Sequence, residues 1–181
     1  NFGAESNTLI TENKFLYVGR FSHEKGIKTL VDGFNYYVNE LGGTWGLTCI
    51  GNGPLGNMLA AENFIKVLDF MSSEELAVHF STSGAFVLPS DRDFYPLVVH
   101  EAASAGKPLI LSSNVGNAPT FAVHGFNALI FEAMSKNSLG HAFKKMEEYS
   151  LEERNILGSN SLKLSFRNTP EIAAASLQSL L

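Results

Sequence analysis

Basic charge is scarce in this sequence, and so are cysteines and long hydrophobic runs. The 181 residues hold 13 lysines and arginines against 18 aspartates and glutamates. This net charge of −5 argues against a general nucleic-acid-binding protein, which usually carries a basic surface. The single cysteine, Cys49, excludes a disulfide framework within the chain and favours a reducing compartment. No apolar run approaches the roughly 20 residues that a membrane-spanning helix needs.

Short apolar segments alternate with amphipathic ones along most of the chain, which is hydrophobic enough for one well-filled domain. Strands are predicted at 14–18, 45–50, 64–68, 85–88, 109–111 and 127–131. Helices are predicted between them at 27–39, 55–61, 72–80, 96–105 and 120–123. This alternation indicates βαβ units and a mostly parallel sheet of about six strands with helices on both faces. The predicted fold class is therefore a Rossmann-like, three-layer α/β domain.

The strand signals stop after the sixth predicted strand, and three trailing helices are predicted beyond it. One runs from about 137 to 149, a second is opened by a capping box at Ser150, and a third is opened by Thr169 and a proline. At the other end, residues 1–13 are polar and irregular. We expect a linker or an artificial boundary there, followed by a single domain over 14–181.

The stretch from Ala85 to Ser112 is the most informative part of the sequence. It reads as a buried strand, a polar loop, a short helix and a second buried strand. Pro96 suits the first position of the helix, where its missing N–H costs nothing, and Gly106 suits its end. Ligands of open α/β sheets bind beyond the carboxyl ends of the strands. The polar loop at 89–95 and the start of the helix are therefore expected to line a binding crevice.

Two cations follow the first predicted strand. That strand leads into Gly19 and Arg20, and the next loop holds Lys25 and Gly26 immediately before a helix. Arginine offers a planar fork of donors, lysine offers a mobile point charge, and a helix N-terminus carries partial positive charge. A phosphate would be stabilised where these three meet. The alternative is that both cations are ordinary solvated surface residues.

The string D-FYPLVVH-E-AASAGKP contains two carboxylates, Asp93 and Glu101, separated by seven residues. It resembles the signature of family 4 glycosyltransferases of the GT-B type, in which an acid, seven residues and a glutamate precede small residues and a Gly-x-Pro step. In that signature the first acid is usually Glu, and the position of Pro96 is more often Gly. The resemblance extends from about Phe15 to Leu181 and implies the carboxyl-terminal, donor-binding half of a two-domain enzyme.

The resemblance implies a role for each charged residue. Arg20 and Lys25, which follow Gly19, would grip the diphosphate of a nucleotide sugar. Glu101 would accept hydrogen bonds from the ribose hydroxyls, for which two carboxylate oxygens are suited. Asp93 would meet hydroxyls of the donor sugar, and it reaches less far than a glutamate. The alternatives for the two acids are an exposed helical glutamate and a loop-tip carboxylate.

Backbone groups complete the predicted site. The G-N-G-P turn that contains Gly53 looks like the turn lining the family's nucleotide site, although a plain tight turn has the same residues. The base is expected near Leu68, at the end of the third strand. The backbone N–H groups of Tyr95 and Leu97 remain available to a phosphate or sugar oxygen, since the proline between them has none.

Three other functions fit parts of the sequence. Asp91-Arg92-Asp93 has the D-x-D form that binds a divalent cation in the other large glycosyltransferase architecture. Because Arg20 and Lys25 already supply positive charge, we predict no metal site and no cofactor. A UDP-sugar epimerase of the same general architecture would share the nucleotide site. A receiver domain would need clustered acids after its first strand, where Gly19 and Arg20 stand.

Taken together, the resemblance implies a retaining glycosyltransferase that moves a sugar from a nucleotide diphosphate sugar to an acceptor. Its partners would be that donor and a missing amino-terminal acceptor domain, without nucleic acid. The isolated chain is expected to bind nucleotide but to transfer sugar poorly or not at all. We expect a cytoplasmic location, with any contact at the inner face of the membrane made through the missing part. The resemblance also implies polysaccharide biosynthesis as the setting of such an enzyme.

Overall fold

The structure is a computed structural model that describes residues 12–166. The strands in this range are β1 Lys14–Val18, β2 Gly46–Ile50, β3 Ile65–Leu68, β4 Ala85–Leu88, β5 Leu109–Ser112 and β6 Ala128–Phe131. The helices are α1 Ile27–Asn39, α2 Gly56–Ala60, α3 Ser73–Thr82, α4 Leu97–Ser104, α5 Ala118–Phe121, α6 Lys136–Glu148 and α7 Leu151–Ser165. The helix predicted at Thr169 and most of the predicted linker at 1–13 lie outside the described residues.

The six strands form one parallel sheet in the order β3-β2-β1-β4-β5-β6. From the middle of the sheet, β1, β2 and β3 follow one another toward one edge, and β4, β5 and β6 follow one another toward the other edge. The loops after β1 and β4 therefore diverge at the middle of the sheet, and open α/β sheets bind ligands in the crevice at this switch point. The predicted Rossmann-like fold is confirmed. A receiver domain does not fit, because its strand order is 2-1-3-4-5.

The core lies on both faces of the sheet. All residues of β4 and β5 are buried, as expected for central parallel strands covered by helices on both sides. On one face, α1 and α6 pack over β1 through four aromatic rings whose neighbouring centroids lie 4.5 to 5.7 Å apart: Phe15, Phe34, Tyr37 and Phe143. Cys49 is fully buried in β2, and burial raises the pKa of its thiol, so it is an unreactive core residue.

The ends of the central helix differ slightly from the prediction. Pro96 precedes α4 rather than beginning it, because its backbone is extended, with ψ of 113°. Gly106 adopts the left-handed conformation, with φ of +65°, shortly after the helix ends, as predicted.

The short helix α5 begins at Ala118 rather than at 120, because Pro119 is accommodated in its first turn.

Candidate functional site

The loops that follow β1 and β4 are joined through their backbones. The N–H groups of Asp91 and Arg92 both donate to the carbonyl oxygen of Glu24, at 3.0 and 3.2 Å. Gly26 approaches the other loop still more closely. Its φ is +68°, and a Cβ at this position would lie 2.0 Å from the carbonyl oxygen of Pro89. Only glycine fits, and the two loops form one continuous wall at the switch point of the sheet.

Four helices of the described residues have no side-chain cap, α1, α2, α4 and α5, and two of these, α1 and α4, begin at the crevice. Gly26 precedes α1 and Pro96 precedes α4, and neither carries a side-chain acceptor. The helices α3, α6 and α7, in contrast, are each capped by a serine: Ser72, Ser135 and Ser150. The first N–H groups of α1 and α4 thus lack a capping acceptor and add the partial positive charge of a helix end to the crevice.

Arg20 is exposed at the carboxyl end of β1, which fits both the predicted ligand-binding cation and a solvated surface residue. It lines a cavity of about 280 Å³ with Gly19, Phe70 and Leu76 among others. Its carbonyl oxygen accepts a hydrogen bond from the Tyr17 hydroxyl at 2.9 Å. Burial raises the pKa of Tyr17, so the hydroxyl stays protonated and keeps donating. The backbone that presents Arg20 is therefore anchored to the strand.

Lys25 and Asp93 are ion-paired with each other. The Nζ of Lys25 donates to Oδ2 of Asp93, and Ser90 Oγ donates to the same oxygen at 3.4 Å. The backbone of Asp93 is also held, because its carbonyl oxygen accepts from the N–H of Gly116 at 2.7 Å. The cation predicted at the diphosphate and the acid predicted at the sugar thus lie in direct contact where the two loops meet, which the sequence did not indicate.

Glu101 occupies a different part of the surface. It is exposed on α4 and lines a cavity of about 450 Å³ between α3 and α4, with Leu76, Ala77, Phe80 and Ala105. Leu76 also lines the cavity at Arg20, so the two cavities adjoin at α3. A largely apolar groove with one carboxylate at its side can bind a flat ring and hydrogen-bond a neighbouring hydroxyl.

The predicted backbone positions fall at the same edge of the sheet. A Cβ at Gly53 would lie 2.5 Å from the carbonyl oxygen of Phe21, so chain packing alone already requires a glycine there. Leu68 ends β3, and its carbonyl oxygen is occupied by the N–H of Gly51 at 3.0 Å. Contact of Gly53 and Leu68 with a ligand stays a prediction.

An apolar rim adjoins the ion pair. Its members are Phe94, Tyr95 and Leu97, which are 83%, 58% and 67% exposed. Three large, exposed side chains within four positions commonly mark a binding surface. The predicted N–H donors of Tyr95 and Leu97 lie in this segment, between Asp93 and the body of α4, and their contact with a ligand stays a prediction.

Sequence reasoning missed two buried polar residues that support this region. Asn117 donates from Nδ2 to the carbonyl oxygen of Pro96 at 3.0 Å and so positions the start of α4. Lys107 is fully buried and donates from Nζ to the carbonyl oxygens of Ser81 and Ser83, at 2.8 and 3.3 Å. An asparagine in a turn and a lysine between Gly and Pro both suggest surface positions, so no local signal distinguishes them.

A metal site is not indicated within residues 12–166. No group of three or more His, Cys, Asp or Glu side chains there could hold a metal ion. Asp93 is paired with Lys25, and Asp91 lies beside Gly26, where burial raises the pKa of its carboxyl group. The predicted absence of a metal stays a prediction.

Among residues 12–166, none of the helices has the length and apolarity to cross a membrane.

The comparisons with known proteins bear on this arrangement. A family model described as "Glycosyl transferases group 1" matches residues 4–164. The chain belongs to this family. It is 28% identical over 129 residues to the 2-deoxystreptamine N-acetyl-D-glucosaminyltransferase of Niallia circulans, a match that covers 67% of this chain and 33% of that protein. The chain thus spans about a third of the length of this relative.

Solved structures of glycosyltransferases share the fold. Sucrose-phosphate synthase from Thermosynechococcus elongatus superposes with a TM-score of 0.79 at 24% identity, covering 95% of this chain and 45% of that one. The pneumococcal O-GlcNAc transferase GtfA, solved with UDP and GlcNAc, superposes with a TM-score of 0.74 at 18% identity, covering 94% and 37%. At these identities the likeness shows the fold, and together with the family match it confirms the predicted GT-B type glycosyltransferase family.

Proposed function

We propose that this chain is the donor-binding half of a retaining glycosyltransferase, which moves a sugar from a nucleotide diphosphate sugar to an acceptor. One observation carries the proposal. The loop after β1, which carries Arg20 and Lys25 and leads into the uncapped start of α1, is hydrogen-bonded to the loop after β4 at the switch point of the sheet. Membership of the glycosyl transferases group 1 family supports the same conclusion.

The chemistry that this half supplies is electrostatic. When the bond between sugar and phosphate breaks, negative charge grows on the departing diphosphate. The guanidinium of Arg20, the ammonium of Lys25 and the first N–H groups of α1 and α4 would stabilise that charge. The loop backbones that carry these groups are held in place before the substrate arrives, because the two loops are hydrogen-bonded to each other, and only the Lys25 side chain has to turn from Asp93 to the phosphates. The stabilisation therefore needs little reorganisation during the reaction.

The rest of the donor would extend to either side of the diphosphate. The groove between α3 and α4 would take the nucleoside, with Glu101 accepting from the ribose hydroxyls and the base lying toward Leu68 and Gly53. On the other side, Asp93 would accept from hydroxyls of the sugar. The N–H groups of Tyr95 and Leu97 would donate to phosphate or sugar oxygens beside it.

The acceptor side of the reaction lies beyond the described residues. The chain covers 33% of the relative from Niallia circulans and 45% of the sucrose-phosphate synthase chain. In this proposal a second, amino-terminal domain binds the acceptor, and the enzyme works in the cytoplasm. The chain by itself binds nucleotide and transfers sugar poorly or not at all. Saturable transfer by the purified chain would contradict that part of the proposal.

Titration calorimetry with UDP, GDP and ADP, each with and without EDTA, tests the donor site. We expect metal-independent binding of one nucleotide, weakened about tenfold each by Arg20→Ala and Lys25→Ala, since a charge-assisted contact to phosphate is lost. The matched control is Lys28→Ala, which removes an exposed cation paired with Asp32 on the same helix. Binding lost with EDTA would instead favour a metal at Asp91 and Asp93. No binding of any of the three nucleotides would contradict the proposal.

A further inference from the structure

The Lys25–Asp93 contact differs from the other ion pairs of residues 12–166. Four of the five pairs join residues no more than four positions apart, one at the start of β1 and three on helices: Lys14–Glu12, Lys28–Asp32, Lys144–Glu147 and Lys145–Glu148. Lys25 and Asp93 are 68 positions apart and come from the loops after β1 and β4. Their side chains are 26% and 12% exposed, so solvent screens this pair less than it screens a fully exposed one.

The two partners differ in mobility. Asp93 is fixed at its backbone by Gly116, and its carboxylate also contacts Ser90 Oγ at 3.4 Å. Lys25 carries its ammonium on a flexible four-carbon stem, although its backbone lies next to the anchored Glu24. An anion entering the crevice can therefore draw the lysine away, but the carboxylate stays where it is. The resting site holds a fixed negative charge next to the cation that a diphosphate needs.

From this geometry we infer that Asp93 determines specificity by favouring the sugar nucleotide over the bare nucleoside diphosphate; this inference rests on the proposed function. A bare diphosphate must compete with Asp93 for Lys25. Its terminal phosphate also carries additional negative charge near neutral pH, since the second ionisation of a phosphate monoester falls near pH 6. That charge faces the unpaired carboxylate of Asp93.

A sugar esterified to the diphosphate removes both the competition for Lys25 and the extra phosphate charge that faces Asp93. The ester leaves the second phosphate with a single charge, and the sugar hydroxyls can donate to the Asp93 oxygens that Lys25 vacates. Lys25 is then free to bind the phosphates at little cost to Asp93. After transfer the sugar is gone, Asp93 recaptures Lys25, and the nucleoside diphosphate loses a cation. The same carboxylate that recognises the donor thus assists release of the product.

Calorimetry on the purified chain with Asp93→Asn tests this inference. The base-matched nucleoside diphosphate and its glucose derivative are titrated into both proteins. We expect the affinity for the diphosphate to rise about tenfold in the variant, and the affinity for the glucose derivative to stay within about twofold or fall. The control Asp32→Asn breaks the Lys28–Asp32 pair on α1 by the same substitution, and it should change neither affinity. Asp93→Ser repeats the test if the asparagine variant does not fold.

The outcomes separate the inference from the proposed function. If the wild-type chain binds a nucleoside diphosphate and Asp93→Asn leaves that affinity unchanged or lowers it, the inference alone is overturned. An equal rise for both ligands overturns it too, because no discrimination would be lost. The rise in affinity for the diphosphate caused by Asp93→Asn should also be smaller when Lys25 is already replaced by alanine, since no lysine is then released from Asp93. An equally large rise in that double variant would contradict the competition between Asp93 and the diphosphate for Lys25. If neither protein binds any nucleotide, the proposed function fails as well.

Discussion

Asn117 holds Pro96 in place through a side-chain hydrogen bond of 3.0 Å from its Nδ2 to the proline carbonyl oxygen. Both residues are buried, and they belong to separate segments, since Asn117 precedes α5 and Pro96 precedes α4. The bond fixes the point from which α4 starts. Because α4 carries Glu101 and offers its uncapped N-terminus to the crevice, a turn remote in sequence sets the position of the candidate site.

Replacing Asn117 should therefore affect both stability and binding. Asn117→Ala leaves the buried carbonyl oxygen of Pro96 without this donor, which should cost about 1 to 3 kcal/mol of unfolding free energy. Urea denaturation measures this cost, and calorimetry should show weaker nucleotide binding as α4 shifts. The exposed residue Asn63 provides a control, since Asn63→Ala should leave both quantities nearly unchanged. Equal stabilities of the two variants would contradict this role.

A pair of glycines separates the effect of backbone conformation from that of close packing. Gly26 and Gly42 have nearly the same φ, +68° and +62°, but a Cβ at Gly42 meets no atom within 4 Å. Gly42→Ala should thus cost only the left-handed conformation, about 1 kcal/mol. Gly26→Ala also forces apart the loops after β1 and β4 and should cost at least about 3 kcal/mol. Similar unfolding free energies for the two variants would show that the loops can separate freely.

The buried lysine predicts an unusual dependence of stability on pH. Burial lowers the pKa of Lys107 from its ordinary value of 10.5 to about 8. Between these pH values the unfolded chain holds a proton that the folded chain lacks, so this residue makes the free energy of unfolding rise with pH. The neutral amine can still donate to the carbonyl oxygens of Ser81 and Ser83.

Urea denaturation of the wild type and of Lys107→Met, compared near pH 7.5 and near pH 10, measures this contribution. The wild type should gain stability relative to the variant as pH rises, by no more than about 3 kcal/mol. Other groups that titrate in this range, such as Tyr17 and Cys49, are common to both proteins and cancel in the difference. A difference that stays constant with pH would show that Lys107 keeps its charge in the folded state.

The predicted role of Glu101 can be tested with a modified nucleotide. If Glu101 accepts from both ribose hydroxyls, the wild type should bind the nucleoside diphosphate about tenfold more tightly than its 2′-deoxy analogue. Glu101→Gln should lose most of this discrimination without loss of stability, because the side chain is exposed. The exposed Glu152 on α7 serves as a control. Discrimination that survives in Glu101→Gln would assign the ribose to another residue.

The sequence predicts the fold well because the signals for it are local. The bounds of β1, α1 and β4 agree with the prediction at both ends, since apolar runs and helix periodicity operate within a few residues. The sequence predicts Pro96 at the first helical position, whereas it lies one residue before the helix, because a proline is acceptable on either side of a helix start. Errors of this kind are small, and they do not change which strand ends meet at the crevice.

The candidate site was less predictable, since its contacts join segments far apart in the chain. Arg20, Lys25, Asp93 and Glu101 are predicted by motif. Arg20, Lys25 and Asp93 lie on the loops after β1 and β4, whereas Glu101 lies farther along α4, beside the groove between α3 and α4. That Lys25 pairs with Asp93 follows from the approach of two loops, which depends on Gly26 passing close to Pro89. The burial of Lys107 and Asn117 depends in the same way on tertiary packing, for which a single sequence carries no local signal.

The helices that begin at the crevice, α1 and α4, lack the serine caps that α3, α6 and α7 possess. A capping residue at Pro96 should stabilise the chain by about 1 kcal/mol, but it would occupy the N–H groups that await an anion. Simple improvements in heat resistance are thus available at positions where they would harm activity. A laboratory selection for thermal stability alone would therefore favour variants that unfold at a higher temperature but bind the substrate more weakly.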